Sequence, residues 1–288
     1  MTAKSDIAVS YDISNDFFRL WLDERMNYTC GIFDGTDSLE QAQLNKLAVL
    51  HDFAHVTPDS TVLDIGCGWG ACLEYLTVNR GVKSARGITL SEAQHQEILR
   101  RKLPNTESAR ISYTDYRPKV TFDAVISICM MEHICTPEDA RLNRQVHMYR
   151  DYFRRVHGWT RPGAYFGLQT ILRNVVPRNK KDLEDVGHAT YKIFPGGITP
   201  RLEDIVMAVN PYWEIMEIKT RRVDYQKTCA HWLSRLRRHE ATIREKWGDE
   251  VFTDYDRYLS TCVRAFEMHY QSLAQYSLRR IDQPLSLR

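Results

Sequence analysis

No stretch of this 288-residue chain is apolar for long enough to cross a bilayer. None of its seven cysteines falls in a C-x-x-C pair, which removes the zinc-ribbon and thioredoxin-type readings, and an odd count does not close a disulfide framework. Charge of one sign is also missing. The 39 basic residues stand against 37 acidic ones, a net charge of +2, so the chain lacks the basic footprint of a nucleic-acid binder. There is no internal repeat, low-complexity run or Pro/Gly/Ser linker, and Met1 to Ser10 do not read as a secretion signal. The expectation is one domain, with additions, in a reducing cytoplasm. What is present is ordinary globular material: 43% hydrophobic and 11% aromatic residues, enough for a sizeable core.

The stretch "VLDIGCGWG" (62–70) is an apolar strand that runs into a glycine-spaced turn, where Gly66, Gly68 and Gly70 let backbone approach a bulky ligand. Two helices precede it: "SNDFFRLWLD", capped at Ser14 or Asn15, and "SLEQAQLNKLAVLHDF", opened by the Ser38-x-x-Gln41 capping box. After Thr61, strands and helices alternate. "TVLDI", "SARGIT", "ARISY", "FDAVISICM" and "AYFGLQTI" read as strands, with helices over "ACLEYLTVNR", "EAQHQEILRRKL" and within 141–157. Thr199-Pro200 is read as the cap of a further helix. "YWEIMEIKT" and "YQSLAQYSL" read as late strands around a long basic helix (228–247). The pattern predicts an open α/β sheet of seven strands with helices on both faces, ligands lying at the carboxyl ends of its parallel strands.

Read loosely, Gly66-x-Gly68-x-x-Ala71 also fits a dinucleotide fingerprint. An NAD site wants an acid at the end of the second strand. Here that strand ends "GITLSEAQ", with Thr89, Leu90 and Ser91 in the acid's place. This weakens the NAD reading, but it departs as well from the commonest S-adenosylmethionine (AdoMet) pattern, which also uses an acid there, so the strand end alone leaves the ligand open.

The ordered set "YDISNDFFRLWLD", "YTCGIF", "SLEQAQLNKL", "VLDIGCGWG", "GITLSEAQ", "DYR", "EHI", "IFPGG", "DYQKT" and "YDRYLSTC" resembles the cyclopropane fatty acid and mycolic acid cyclopropane synthases over residues 10–276. The resemblance implies a class I methyltransferase Rossmann-like fold with N-terminal helices and an insertion that covers the substrate. The expected divisions are a helical cap (1–58), a cofactor core (59–171), a lid-like insertion (172–199) and a C-terminal completion of the sheet (200–288). For AdoMet the resemblance points to Tyr28, Thr29, Gly66, Gly68, Thr89, Leu90, Gln94 and Tyr116. For a bicarbonate ion beside the methyl acceptor it points to the backbone at Cys30, to Glu132, to Gln169 and Ile171, and to Tyr225. Cys262 matches a cysteine sometimes given a catalytic role, but nothing near it in sequence lowers a thiol pKa, and a structural role is expected. No metal site is expected.

The residues explain part of this. Glycine amides and a helix N-terminus suit a carboxylate. Ser91-x-x-Gln94 is a capping box whether or not Gln94 meets a ligand. A carboxylate at the end of an apolar strand, as Glu132 is, is costly unless it has a function. Removal of a proton after methyl transfer to an alkene needs a base near neutral pH.

The chain departs from the family in four places. Gln169 stands where the family has histidine, and an amide cannot relay a proton. Ser10 replaces a histidine before the "YD" pair. "CTPEDARLNRQVHMYRDYF" is longer than the family's connection, and "LRNVVPRNKKDLEDVGHATYKIFPGG" is shorter and more polar than an apolar lid. The expectation is a carbon methyltransferase of cyclopropane-synthase type acting on an alkene of an acyl or lipid-like acceptor. The alternative is a carbon or nitrogen methyltransferase for a small polyketide, terpenoid or amine, without ring closure. Arg235, Arg237, Arg238 and Arg244 on the basic helix form either a solvated face or a dock for an acyl carrier protein.

Overall fold

The computed structural model describes residues 14–285; Ser10, singled out above, lies outside them. The Ser14 hydroxyl accepts from the Phe17 N–H and opens α1 (Asn15–Arg19). Ser38 does the same for Gln41 at the start of α2 (Leu39–Phe53). The Rossmann-like run follows as β1 (Thr61–Ile65), α3 (Ala71–Glu74, widening into a π turn over Tyr75–Asn79), β2 (Ser84–Thr89), α4 (Glu92–Arg101) and β3 (Thr106–Arg110). Then come β4 (Phe122–Ile128), a 3-10 turn (Met131–His133), α5 (Pro137–Arg141), α6 (Gln145–Trp159) and β5 (Thr160–Arg173). The rest comprises α7 (Lys180–His188), α8 (Leu202–Val209), β6 (Trp213–Thr220), α9 (Arg222–Arg238), α10 (Glu240–Trp247), α11 (Asp249–Glu267) and β7 (Gln271–Arg280).

The seven strands lie in the order β3-β2-β1-β4-β5-β7-β6. Strands β1 to β5 pair in parallel, and β7 runs antiparallel to both β5 and β6. Strand order reverses between β1 and β4, and that switch point opens a crevice at the carboxyl ends of the strands. One core packs the sheet against α6 and α8, through Phe153, Phe166 and Trp213. A second joins the two ends of the chain: the ring of Trp21, in the turn after α1, lies 5.9 Å from Trp232 of α9 and 6.1 Å from Tyr255 of α11. The N-terminal cap is thus fixed by C-terminal helices.

The expected seven-stranded sheet and N-terminal helices are present, and several local expectations are corrected. Asp204 accepts from the Arg201 N–H at 3.0 Å, so Arg201 and not Thr199-Pro200 begins α8. "ARISY" contributes only its first residues to β3, and Ser112 to Asp115 form a turn. The basic helix starts earlier and breaks at His239, and a third helix, α11, separates β6 from β7. Arg235 pairs with Glu40, Arg237 with Asp256 and Arg244 with Asp249. These three arginines tie helices together instead of forming a free basic face. The lid's polar composition is also misleading. Apart from Arg173, its charged residues face outward or toward α11, while Val175, Val176, Leu183, Val186 and Phe194 line a cavity.

Candidate active site

A cavity of about 870 Å³ opens at the switch point, between the glycine turn after β1, the ends of β2, β4 and β5, the lid, and α11. This is near the upper end of the roughly 300–1,000 Å³ range of small-molecule sites, as a site for two reactants requires. Gly66, Gly68 and Gly70 all adopt positive φ (81°, 54° and 89°), which a side chain at those positions would oppose. At Gly68 a Cβ would meet nothing within 4 Å. The turn therefore presents bare backbone to the cavity.

Asp64, the last acid of β1, lies below that turn. Both of its oxygens are buried with no hydrogen-bond partner among the described residues. Burial pushes its pKa up to about 7, with the Cys72 thiol and the charge of Lys46 pulling it partly back. An acid left in this state on a cavity wall awaits a cationic or donating ligand. Lys46, fully buried in α2, donates to Asn27 Oδ1 (2.8 Å) and Thr29 Oγ1 (2.9 Å), and burial holds its pKa below the usual lysine value. Asn27 is held in turn by Asp23. This network fixes the 26–33 loop, which brings Tyr28 and Thr29 to the cavity.

Thr89, Leu90 and Gln94 line the cavity as well. The Thr89 hydroxyl donates to Gln94 Oε1 at 2.7 Å, while the Gln94 backbone N–H bonds Ser91. Gln94 thus takes part in both arrangements, its backbone capping α4 and its side chain turned to Thr89. Tyr116 is not among the lining residues. It packs edge-on against Trp159, and Ser112 to Asp115 line the wall instead.

Glu132 stands on the 3-10 turn after β4. Its Oε1 accepts from the Ile171 N–H at 2.7 Å, and Oε2 is buried with no hydrogen-bond partner among the described residues. Burial raises its pKa to about 7; the Ile171 amide, Thr170 and Cys129 oppose the shift. Gly197, the last residue of the "IFPGG" segment, and Ile198 after it close on it from behind, the Ile198 N–H donating to Glu132 O at 2.9 Å. Tyr225, Tyr258, Phe194 and Cys262 line the same cavity. The Tyr225 ring stacks on Phe266 at 4.5 Å, and burial keeps its phenol protonated. His133 is half-buried, and desolvation lowers its pKa to about 4, which keeps it neutral.

Gln169 and Cys30 are not among the lining residues. Gln169 is fully buried, accepts from Gln275 Nε2 at 2.8 Å and turns its amide nitrogen to Cys129 Sγ at 3.6 Å. The Cys30 thiol donates to Gly31 O, and the Gly31 N–H is bonded to Thr228. Of the groups expected to hold bicarbonate, the Ile171 N–H is thus bonded to Glu132 and the Gln169 side chain to Gln275, while Glu132 and Tyr225 line the cavity. Sequence reading missed Asp64, Lys46, Tyr258 and Phe194. Asp64 was legible as a buried acid within the glycine motif; Lys46, Tyr258 and Phe194 lie inside "SLEQAQLNKL", "YDRYLSTC" and "IFPGG", but nothing in those stretches marks them out as cavity residues.

The family model described as "mycolic acid cyclopropane synthetase" matches residues 1–276. The chain belongs to that family. It is 29% identical over 288 residues to cyclopropane mycolic acid synthase 2 of Mycobacterium bovis, covering 93% of this chain and 92% of that protein. It is 30% identical over 257 residues to the cyclopropane-fatty-acyl-phospholipid synthase of Escherichia coli, covering 89% of this chain and 63% of that enzyme. A solved cyclopropane synthase of Mycobacterium tuberculosis superposes with a TM-score of 0.88 at 25% identity, over 97% of this chain and 99% of that one. As a family member the chain is an AdoMet-dependent methyltransferase, and the bare glycine turn and the unpaired Asp64 fit that cofactor. No helix among the described residues is long and apolar enough to cross a membrane.

Proposed function

We propose that this protein methylates an alkene carbon of an unsaturated acyl acceptor, with Glu132 as the base. The observation that carries the reading is Glu132 itself: a buried carboxyl on the cavity wall, one oxygen anchored, the other without a partner, and its pKa at about 7.

AdoMet supplies an electrophilic methyl group. Residues Gly66 and Gly68 offer backbone to its methionyl end, Asp64 offers a carboxylate to its ammonium, and Thr89, Leu90 and Gln94 border its ribose. Addition of the methyl to the alkene leaves positive charge on the acceptor, and the electron-rich faces of Tyr225, Tyr258 and Phe194 stabilise that charge. Glu132 Oε2 then takes a proton from the acceptor. Loss from the added methyl closes a ring, and loss from a neighbouring carbon leaves a methyl branch with a double bond. A base with a pKa near the working pH combines a useful ionised fraction with a useful proton affinity. The apolar wall beside Glu132, from Ile171, Phe194 and Ile198, limits water, which would otherwise quench the cation.

Incubation with AdoMet and an oleoyl acceptor tests this. The expected result is S-adenosylhomocysteine together with a product heavier by one CH₂, its cyclopropane or branch identified by NMR. Cofactor binding with no turnover on any alkene acceptor overturns the reading.

A further inference from the structure

The charged side chains of the lid are either paired or, like Arg178 and Lys181, exposed to solvent. Arg264 bonds Asp182 at 2.7 Å, Arg257 bonds Asp185 at 2.8 Å, and Lys192 reaches Asp254 at 2.7 Å. Arg173 is different. It ends β5, two residues past Ile171, so the two side chains share one face of the strand at a spacing of roughly 7 Å. Its backbone N–H donates to Pro200 O. Its side chain makes no hydrogen bond or ion pair among the described residues, and its Nε is buried without a partner. Of the lining residues supplied by segment 172–199, it alone is charged. Its neighbours at the mouth, Val175, Val176 and Tyr191, are apolar and largely exposed (55%, 64% and 67%).

An unpaired guanidinium beside apolar walls has lost part of its hydration and gained no counter-charge. Burying its Nε–H without an acceptor is unfavourable, and a ligand that brings an acceptor to this face of the cavity would complete it. A guanidinium offers five N–H donors in a fork that matches two anionic oxygens at once. The lid's carboxylates cannot supply them, because Asp182 and Asp185 are held by arginines of α11.

The geometry points to Arg173 as the residue that selects an acceptor with an anionic oxygen group, a carboxylate or a phosphate, whose hydrocarbon part runs past Ile171 to Glu132. This rests on the acyl-acceptor reading above and narrows it: the acceptor enters head-defined, with its charge at the lid and its double bond at the base. Arg173 is a specificity-determining residue and takes no part in proton transfer.

The test is equilibrium binding to the full chain saturated with S-adenosylhomocysteine. Three pairs separate head group from chain: oleate and methyl oleate, oleyl phosphate and oleyl alcohol, and 4-vinylbenzoate with its methyl ester. Wild type is expected to bind at least one anionic member about tenfold to a hundredfold more tightly than its neutral partner, the range for a charge-assisted hydrogen bond. The first two pairs tell carboxylate from phosphate. Arg173→Leu should abolish that preference while leaving the neutral partner's affinity, S-adenosylhomocysteine binding and the melting temperature as in wild type. Arg173→Lys should restore part of it. Preference confined to the vinylbenzoate pair keeps Arg173 in its role and overturns the acyl reading instead. Equal binding within every pair, persistence of the preference in Arg173→Leu, or no binding by any member overturns the proposal.

Discussion

The Gln275 side-chain amide donates to Gln169 Oε1 at 2.8 Å, and this bond decides which way Gln169 faces. Its own amide nitrogen is left to Cys129 Sγ, behind the cavity wall. Arg221 in turn donates to Gln275 Oε1 at 3.2 Å, so the pair belongs to a strand-to-strand network across β5 and β7.

The first prediction follows from that network. Gln169→Leu removes an acceptor and leaves the Gln275 amide buried and unpaired, at a cost of about 1–3 kcal/mol. Turnover of the folded variant should stay within a few-fold of wild type, and neither protein should respond to bicarbonate. Denaturant unfolding and rates with bicarbonate depleted and restored measure both parts. Loss of turnover without loss of stability would place the Gln169 amide in the chemistry after all.

Glu132→Gln keeps the Ile171 anchor, because the amide oxygen still accepts, and removes the base. The expected loss in kcat is on the order of 10²–10⁴, with S-adenosylhomocysteine affinity unchanged. In wild type, kcat should rise with pH up to about 7, where Glu132 ionises, and then level off. A flat profile from pH 5 to 8, or full activity in the variant, assigns the proton to another group.

How much of this could be read beforehand differs by element. Glycine spacing, the Ser14 and Ser38 caps and the alternation after Thr61 are local signals, and they yielded the sheet and the turn that faces AdoMet. The break at His239 was hidden because "HWLSRLRRHEATIREKW" keeps its helical period on both sides. The role of Gln169 depends on Gln275, more than a hundred residues away and in register only once β7 inserts between β5 and β6. Lys46, Tyr258 and Phe194 belong to elements scattered along the chain, and only the fold brings them to one cavity. Composition concealed the lid, since its apolar residues share one side of a mostly polar segment.

Burial raises the pKa of three carboxyls, Asp23, Asp64 and Glu132, and the two shifted furthest give stability a defined pH dependence. Asp64 and Glu132 both sit near 7 in the folded chain, above the ordinary carboxylate values they recover on unfolding. The folded state therefore holds more protons than the unfolded one between about pH 4.5 and 7. Their contribution is fully present below the unfolded value and is lost as pH rises through the folded one. The ligand-free protein should melt at progressively lower temperature as pH is raised from 5 to 8, and Asp64→Asn should flatten part of that slope. S-adenosylhomocysteine should bind more tightly as pH rises toward 7, because its ammonium end favours ionised Asp64. A wild-type melting temperature that rises over this range contradicts the assignment.

The last prediction concerns Gly197, whose role is steric. A Cβ built there would lie 2.8 Å from the Glu132 carbonyl oxygen, a backbone atom that cannot swing aside as a side chain can. That carbonyl also accepts the Ile198 N–H at 2.9 Å, so lid and catalytic turn are joined at this point. Alanine at 197 must push the turn, the lid or both, and a base displaced by about 1 Å costs on the order of a hundredfold in rate. Gly197→Ala should therefore lower kcat by tenfold or more while the Gly66 turn, on a separate element, keeps its affinity for S-adenosylhomocysteine. Gly187→Ala is the matched control. It sits in α7 of the same lid, where a Cβ meets nothing within 4 Å, and should gain up to about 1 kcal/mol of helix stability with kcat unchanged. If both variants keep wild-type kcat, the contact between Gly197 and Glu132 does not position the base. If both lose it equally, the lid acts through its general stability and not through that contact.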